Sequence, residues 1–194
     1  MHGLINRAIQ RFVANCYGEE TWHAVAYRAD LGFTDFEAML CYPEDLTGRV
    51  IDAACAVLDK PRDDLLEDIG TYLVSHPQSE RVRRLLRFGG VTFVDFLFSL
   101  DDLPERARLA VSDLVLPVLD LTEQGPGHFS LSCHADQDGF GRVLLGVLRA
   151  MADDYGALVF MELENHAPGH DVIAITLFEA AYAEGRSFHL GGAG

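Results

Sequence analysis

Apolar residues recur at three- and four-residue spacing through the first half of the chain. Leu4, Ile5, Ala8, Ile9, Phe12 and Val13 share one helical face, and Gly18 follows as a stop. Thr34-Asp35-Phe36-Glu37 has the form of a capping box, in which a hydroxyl and a carboxylate satisfy orphan amides reciprocally, and predicts a helix start. Val50, Ala53, Ala54, Val57 and Leu58 form a further stripe. Pro61 suits the first turn of the next helix, with Leu65, Leu66, Ile69, Tyr72 and Leu73 on one face; Pro77 should end it at about His76. Arg81 to Arg87 reads as a short basic helix before Gly89-Gly90, and Phe93 to Leu100 as a strongly apolar one.

After about Asp113 the texture changes. Val115 to Leu121 and Phe129 to Cys133 read as strands joined by the turn residues Gln124-Gly125-Pro126-Gly127. Val143 to Met151 is helical. Ala157 to Leu163 and Val172 to Phe178 predict an antiparallel hairpin, with Asn165 to Asp171 as its loop. Helices first and strands second indicate α+β rather than a parallel α/β sheet. No linker or internal repeat interrupts the chain. The expectation is one domain over residues 1–185, with a helical subdomain to about 112 and a sheet subdomain from about 113, then a frayed tail over 186–194.

The length of 194 residues is enough to bury a substantial core. Fifteen Lys and Arg against 30 Asp and Glu leave a formal net charge of −15. Such a balance repels phosphate backbones and anionic lipid, which excludes nucleic acid and membrane surfaces as expected partners and favours a basic patch on another protein. There is no basic start followed by an apolar signal region and no apolar run long enough to span a bilayer, so the expected location is cytoplasmic. Cys16, Cys41, Cys55 and Cys133 lack close spacing. They read as reduced, mostly buried thiols rather than a disulfide framework or zinc site.

Several residues invite chemistry and are weighed against blander roles. His166 and His170, with Glu164 and Asp171, have metal-ligand types, yet Pro168 and Gly169 intervene and a solvated turn is favoured. His128 and His134 share a strand face at too long a separation for a joint site. His23 fits a partly buried core histidine. Cys133 is read as a packed thiol before a redox sensor, because reactivity needs exposure and a lowered pKa. Glu162 and Glu164 read as a solvated strand face. Gly139-Phe140-Gly141 lacks the third glycine and the Lys-Ser/Thr of a phosphate-binding turn. Phe93, Phe96 and Phe98 read as core. The run Arg81, Arg83, Arg84, Arg87 either balances nearby carboxylates or docks a partner's acidic surface. No Gly-x-Ser-x-Gly or comparable nucleophile–base motif is present, and an enzyme is not expected.

Two stretches carry a family resemblance. The opening, Met1-His2-Gly3-Leu4-Ile5-Asn6 through Phe12 to Cys16-Tyr17-Gly18, and the run Cys133-His134-Ala135-Asp136-Gln137-Asp138-Gly139-Phe140 with the helix after it, together resemble the heme nitric-oxide/oxygen-binding (H-NOX) domains. That family includes the sensor domain of soluble guanylate cyclase. The likeness covers roughly Met1 to Phe178. It implies a helical subdomain meeting an antiparallel sheet that carries a long helix, with heme between them.

Phe93-Val94-Asp95-Phe96-Leu97-Phe98-Ser99-Leu100-Asp101-Asp102-Leu103 looks like the family helix that leads to the iron-ligating histidine. The residue that follows is Pro104, which has no side-chain lone pair for iron and would break the helix or start a new one. The family's Tyr-x-Ser-x-Arg, which grips the heme propionates, corresponds to Cys133, Ala135 and Gln137. Gln137 offers a neutral amide where a guanidinium would pair bidentately, and Ala135 offers nothing. Pro117 falls where the family has the proline that presses on the porphyrin.

The resemblance implies a sensor acting on an effector such as a histidine kinase or diguanylate cyclase, normally controlled by nitric oxide or oxygen at the iron. With four contact positions changed, the expectation is no heme in the family manner and either another hydrophobic ligand or none. The rivals are a heme b sensor with His134 or Cys133 as substitute ligand, and a ligand-free interaction module.

Overall fold

A computed structural model describes residues 1–136, 138–167 and 169–187. Among them the order is α1 (Gly3–Tyr17), α2 (Glu19–Arg28), α3 (Glu44–Leu58), α4 (Arg62–Ser75), a 3-10 turn (Pro77–Ser79), α5 (Glu80–Arg87), α6 (Phe93–Phe98), α7 (Leu103–Ala110), β1 (Val118–Gly125), β2 (His128–His134), α8 (Phe140–Tyr155), β3 (Leu158–Ala167) and β4 (His170–Glu179). This is the α+β class that the residue pattern predicts. By internal contacts the chain forms two compact units, Met1–Leu65 and Leu66–Gly194.

In the first unit, α1 buries Ile9, Phe12 and Val13, α2 buries Trp22, Val25 and Ala26, and α3 buries Leu46, Val50, Ile51 and Ala54. Buried Thr47 donates to the Asn6 amide oxygen at 2.6 Å, tying α3 to α1 where both polar groups would otherwise be unsatisfied. Gly3 admits no other residue: an added Cβ would lie 2.1 Å from the Glu37 carbonyl oxygen.

The segment Thr34-Asp35-Phe36-Glu37 starts no helix, contrary to its capping-box pattern. Its backbone groups find side-chain partners instead of a following helical turn. Trp22 Nε1 donates to Thr34 O, Arg7 to Phe36 O, and the Phe36 amide donates to Gln10 Oε1. Phe36 is thereby buried between Trp22 and Tyr42. A true capping box stands at Thr92 and Asp95, opening α6.

The second unit is built on a four-stranded antiparallel sheet of order β1-β2-β4-β3. One face carries Leu119, Phe129, Leu131, Cys133, Met161, Ile173 and Ile175, which join Leu145, Leu148 and Met151 of α8 and Phe93, Phe96 and Leu97 of α6 in one core. α8 meets the second half of α4 through two glycines. A Cβ at Gly70 would lie 2.0 Å from Val143 O, and one at Gly146 would lie 2.1 Å from Glu67 O.

Several boundaries move. β1 begins at Val118 rather than Val115, where pairing with β2 starts at Val118↔His134 and Pro117 offers no amide to a ladder. It runs on to Gly125. The hairpin loop shrinks, since β3 reaches Ala167 and β4 starts at His170, held on its other side by His134. Phe93 to Leu100 is helical only to Phe98, and Pro104 lies in the first turn of a new helix.

The Arg186 amide donates to Asp154 O at 2.9 Å, and Ser187 O accepts from Arg83 at 3.2 Å. Residues 188–194 lie outside the described residues.

Arg83 and Asp154 form a buried ion pair, Nε to Oδ1 at 2.8 Å, with side chains 6% and 1% exposed. Arg87 and Arg186 approach the same carboxylate at 3.5 and 3.7 Å. Removing one partner of such a pair leaves an uncompensated charge and costs about 3–5 kcal/mol, whereas an exposed pair is worth about 0–1 kcal/mol. Urea unfolding of Asp154→Asn should therefore show a loss of about 3–5 kcal/mol, far above that of Asp52→Asn, which removes the exposed partner of Arg62. Equal losses would refute the assignment.

Candidate functional site

The residues singled out by the family resemblance lie on β2 and its exit, before β1, and at the start of α7. β2 alternates strictly, with Phe129, Leu131 and Cys133 buried. Cys133 therefore faces the core at 1% exposure, opposite Leu119 on β1 and Asp171 on β4. Burial, and then the Asp171 carboxylate, push its thiol up to about 12. It is a protonated thiol at neutral pH, neither an ionised ligand nor a reactive nucleophile.

Asp171 is itself buried, and its Oδ2 accepts the Gly141 amide at 3.0 Å in the first turn of α8. A Cβ at Gly141 would lie 2.3 Å from that oxygen. The Gly139-Phe140-Gly141 turn thus gives the Gly141 amide to an internal carboxylate, at the end of a helix where negative charge is favoured.

His134 points to the opposite, outer face and is exposed. Its ring stacks on that of His170, its cross-strand partner, at 4.3 Å between centroids and 1° between planes. The amide of Ala135 donates to Gly169 O. Val118, His134, Ala135, Asp136, Asp138 and Gly169 line a recess of about 570 Å³. It is open to solvent, and its two carboxylates suit no apolar ligand. Pro117 is half-buried and joins this end of the sheet through Val118. Gln137 lies outside the described residues.

Pro104 is buried in α7, and the turn before it is fastened at both sides. Asp101 Oδ1 accepts the Leu121 amide of β1 at 3.1 Å, and Arg106 donates to Ser99 O at 2.7 Å. The described residues at these positions offer no imidazole in the place of Pro104, no hydroxyl at Ala135 and an un-ionised thiol at Cys133. As a donor set they do not fit a histidine-ligated heme.

The other candidates separate. His170 meets His134, and the side chain of His166 lies outside the described residues. His128 lies at the far end of β2 beside Thr176. No group of three metal-ligating side chains occurs among the described residues. His23 is exposed rather than part of the core, because α2 buries the face of Trp22, Val25 and Ala26 and His23 projects away from it. Glu162 and Glu164 are exposed.

Two of the four thiols, Cys16 and Cys41, are exposed, against the expectation of mostly buried ones. Cys41 sits in a loop, and Cys16 lies off the buried stripe of α1. Within the basic run, Arg83 and Arg87 do balance a carboxylate, Asp154, which lies too far along the chain for any local pattern to indicate.

The Haem-NO-binding family model matches residues 2–163. The chain is 27% identical over 154 residues to soluble guanylate cyclase gcy-31 of Caenorhabditis elegans, covering 79% of this chain and 22% of that protein. Against soluble guanylate cyclase 89Da of Drosophila melanogaster it is 22% identical over 158 residues, covering 81% and 24%. The chain thus spans about a quarter of these relatives' length. Among solved structures, a triple mutant of an H-NOX protein from S. oneidensis in the Fe(II) ligation state superposes with a TM-score of 0.80 at 14% identity, over 93% of this chain and 97% of that one. A mutant of T. Tengcongensis H-NOX gives 0.77 at 13% identity, over 93% and 99%. These likenesses show the fold.

With the Cys133 thiol held protonated in the core, a thiol reagent at pH 8 should modify Cys16 and Cys41 first and Cys133 only after unfolding. Peptide mapping of the labelled sites checks this. Labelling of Cys133 at the rate of Cys41 would contradict its burial. The sign of the linkage follows from the raised pKa: unfolding exposes a more acidic thiol, so Cys133 disfavours the native state once pH rises above its ordinary value of 9.0.

Proposed function

The chain belongs to the haem-NO-binding (H-NOX) family, and from that premise we propose a sensor or regulatory domain for signal transduction that does not hold heme in the family manner. The observation that carries this reading is Pro104. It lies in the first turn of α7, at the position the resemblance gives to the family's histidine, and the Asp101 and Arg106 contacts fasten the turn on either side. The protonated thiol of Cys133 and the missing hydroxyl at Ala135 support it, because neither side chain can grip a propionate as Tyr and Ser do.

In this reading residues 1–185 act as one domain in the cytoplasm, and any catalysis belongs to the effector it controls: a histidine kinase, a diguanylate cyclase or a cyclase such as those named among its relatives. The domain binds another hydrophobic ligand or none. A heme-based sensor with a substitute ligand is disfavoured on two counts. Using His134 means breaking its stack on His170 and turning a solvent-facing ring, and using Cys133 means ionising a thiol whose pKa stands near 12.

An ultraviolet–visible titration of the purified protein with hemin, followed by dithionite and nitric oxide, tests the proposal. The expected outcome is no saturable Soret shift and no five-coordinate, histidine-ligated ferrous spectrum. A stoichiometric Soret band that responds to nitric oxide would overturn it, and His134→Ala and Cys133→Ala would then locate the ligand.

A further inference from the structure

Helix α5 carries two stripes of cations on different faces, one buried and one exposed. Arg83 and Arg87 face inward to Asp154, and Arg87 also lies over the Tyr155 ring at 3.9 Å. Arg81, Arg84 and Phe88 recur at intervals of three and four and form the outward stripe, where neighbours stack on one helical face. Arg84 pairs with Glu80 at 3.5 Å, but both side chains are exposed and such a pair is worth little.

The stripe continues in apolar side chains. Phe88 is 69% exposed and Val91 is 88% exposed, on either side of Gly89-Gly90. That turn is held tightly: a Cβ at Gly89 would meet Ser99 Oγ at 1.9 Å, and one at Gly90 would meet Asp95 Cβ at 2.1 Å. Alongside, Arg106 of α7 donates to Leu85 O at 3.3 Å, and one turn further Leu109 is 89% exposed next to exposed Arg108. Glu80 of α5 and Glu105 of α7 are the carboxylates these two helices themselves carry.

We infer that the outward face of α5, from Arg81 and Arg84 to Phe88 and Val91, with Arg108 and Leu109 of α7, is a docking surface for an acidic, apolar-bearing segment of a partner protein. Charge complementarity carries the commitment. On a chain of net charge −15 this face presents guanidiniums beside bare apolar side chains, so an acidic segment repelled elsewhere is received here. An anionic membrane is disfavoured, because a lipid surface wider than the patch would meet the surrounding carboxylates as well. The inward ion pairs hold the helix in place before binding, which lowers the cost of ordering it. The inference rests on the reading of this chain as a regulator of a partner protein and is independent of heme, so the hemin titration can fail without affecting it.

The test uses the full chain and fluorescein-labelled peptides of about four helical turns: one with Glu and Leu faces, one with Lys in place of Glu, and one with Ser in place of Leu. Fluorescence anisotropy should show saturable binding of the Glu/Leu peptide alone. Arg81→Glu with Arg84→Glu, and separately Phe88→Ser with Val91→Ser, should each weaken it by about tenfold or more, the scale of loss typical of central interface residues. High salt should weaken it as well. Unchanged thermal melts would show that the variants fold. Failure of the Glu/Leu peptide to bind, or binding indifferent to both variants, overturns the proposal. So does capture by phosphatidylserine vesicles that the charge reversal abolishes, or a mass of two copies by light scattering that the same variants reduce to one.

Discussion

Seating α8 on one face of the antiparallel sheet is the constraint on which the second unit depends. The buried face of the sheet carries Leu131, Cys133, Ile173 and Ile175, and α8, joined by α6, keeps them from water. Both ends of that helix are fastened by charge. At its start Asp171 reaches from β4 to the Gly141 amide, and at its end Asp154 is buried against Arg83. Between them Gly146 lets α8 approach α4 more closely than any side chain would allow. The placement of α5, the path of residues 183–187 and the direction in which each β2 side chain points all follow from this seating.

That same seating decides the chemistry of the side chains along β2. A residue on the inner face of β2 is surrounded by hydrocarbon, so a thiol there keeps its proton, and Cys133 becomes a packing residue. A residue one step along faces solvent, and His134 finds another imidazole rather than a pocket. Pro104 lies in the first turn of a helix, and the break between α6 and α7 is stabilised by Asp101 and Arg106. Cys133, His134 and Pro104 are each accommodated by their immediate surroundings.

Charge is divided by direction as well as by sequence. Cations in one short helix serve two ends because helical periodicity sends alternate members of the run to different faces. The inward pair spends its charge on a buried carboxylate, and the outward pair keeps it available. A strongly acidic protein with a small cationic and apolar surface is equipped to orient an encounter as well as to hold it.

The amino-acid sequence alone indicated the buried stripes of α1, α3 and α4, the α+β class, the net charge and a helix start at Pro104, since each depends on spacing within about one helical turn or on residue identity. The inward face of Cys133 was half legible, from the alternation of Phe129, Leu131 and Cys133. Thr34 to Glu37 misled, because a capping pattern is local and the groups that claimed its backbone, Gln10, Arg7 and Trp22, come from other helices. Only tertiary structure decided that Arg83 meets Asp154, that His134 meets His170 rather than His128, and that Asp171 takes the first turn of α8. Those partners are far apart along the chain, and no periodicity in the sequence records a contact that exists only once the sheet and α8 have closed on each other.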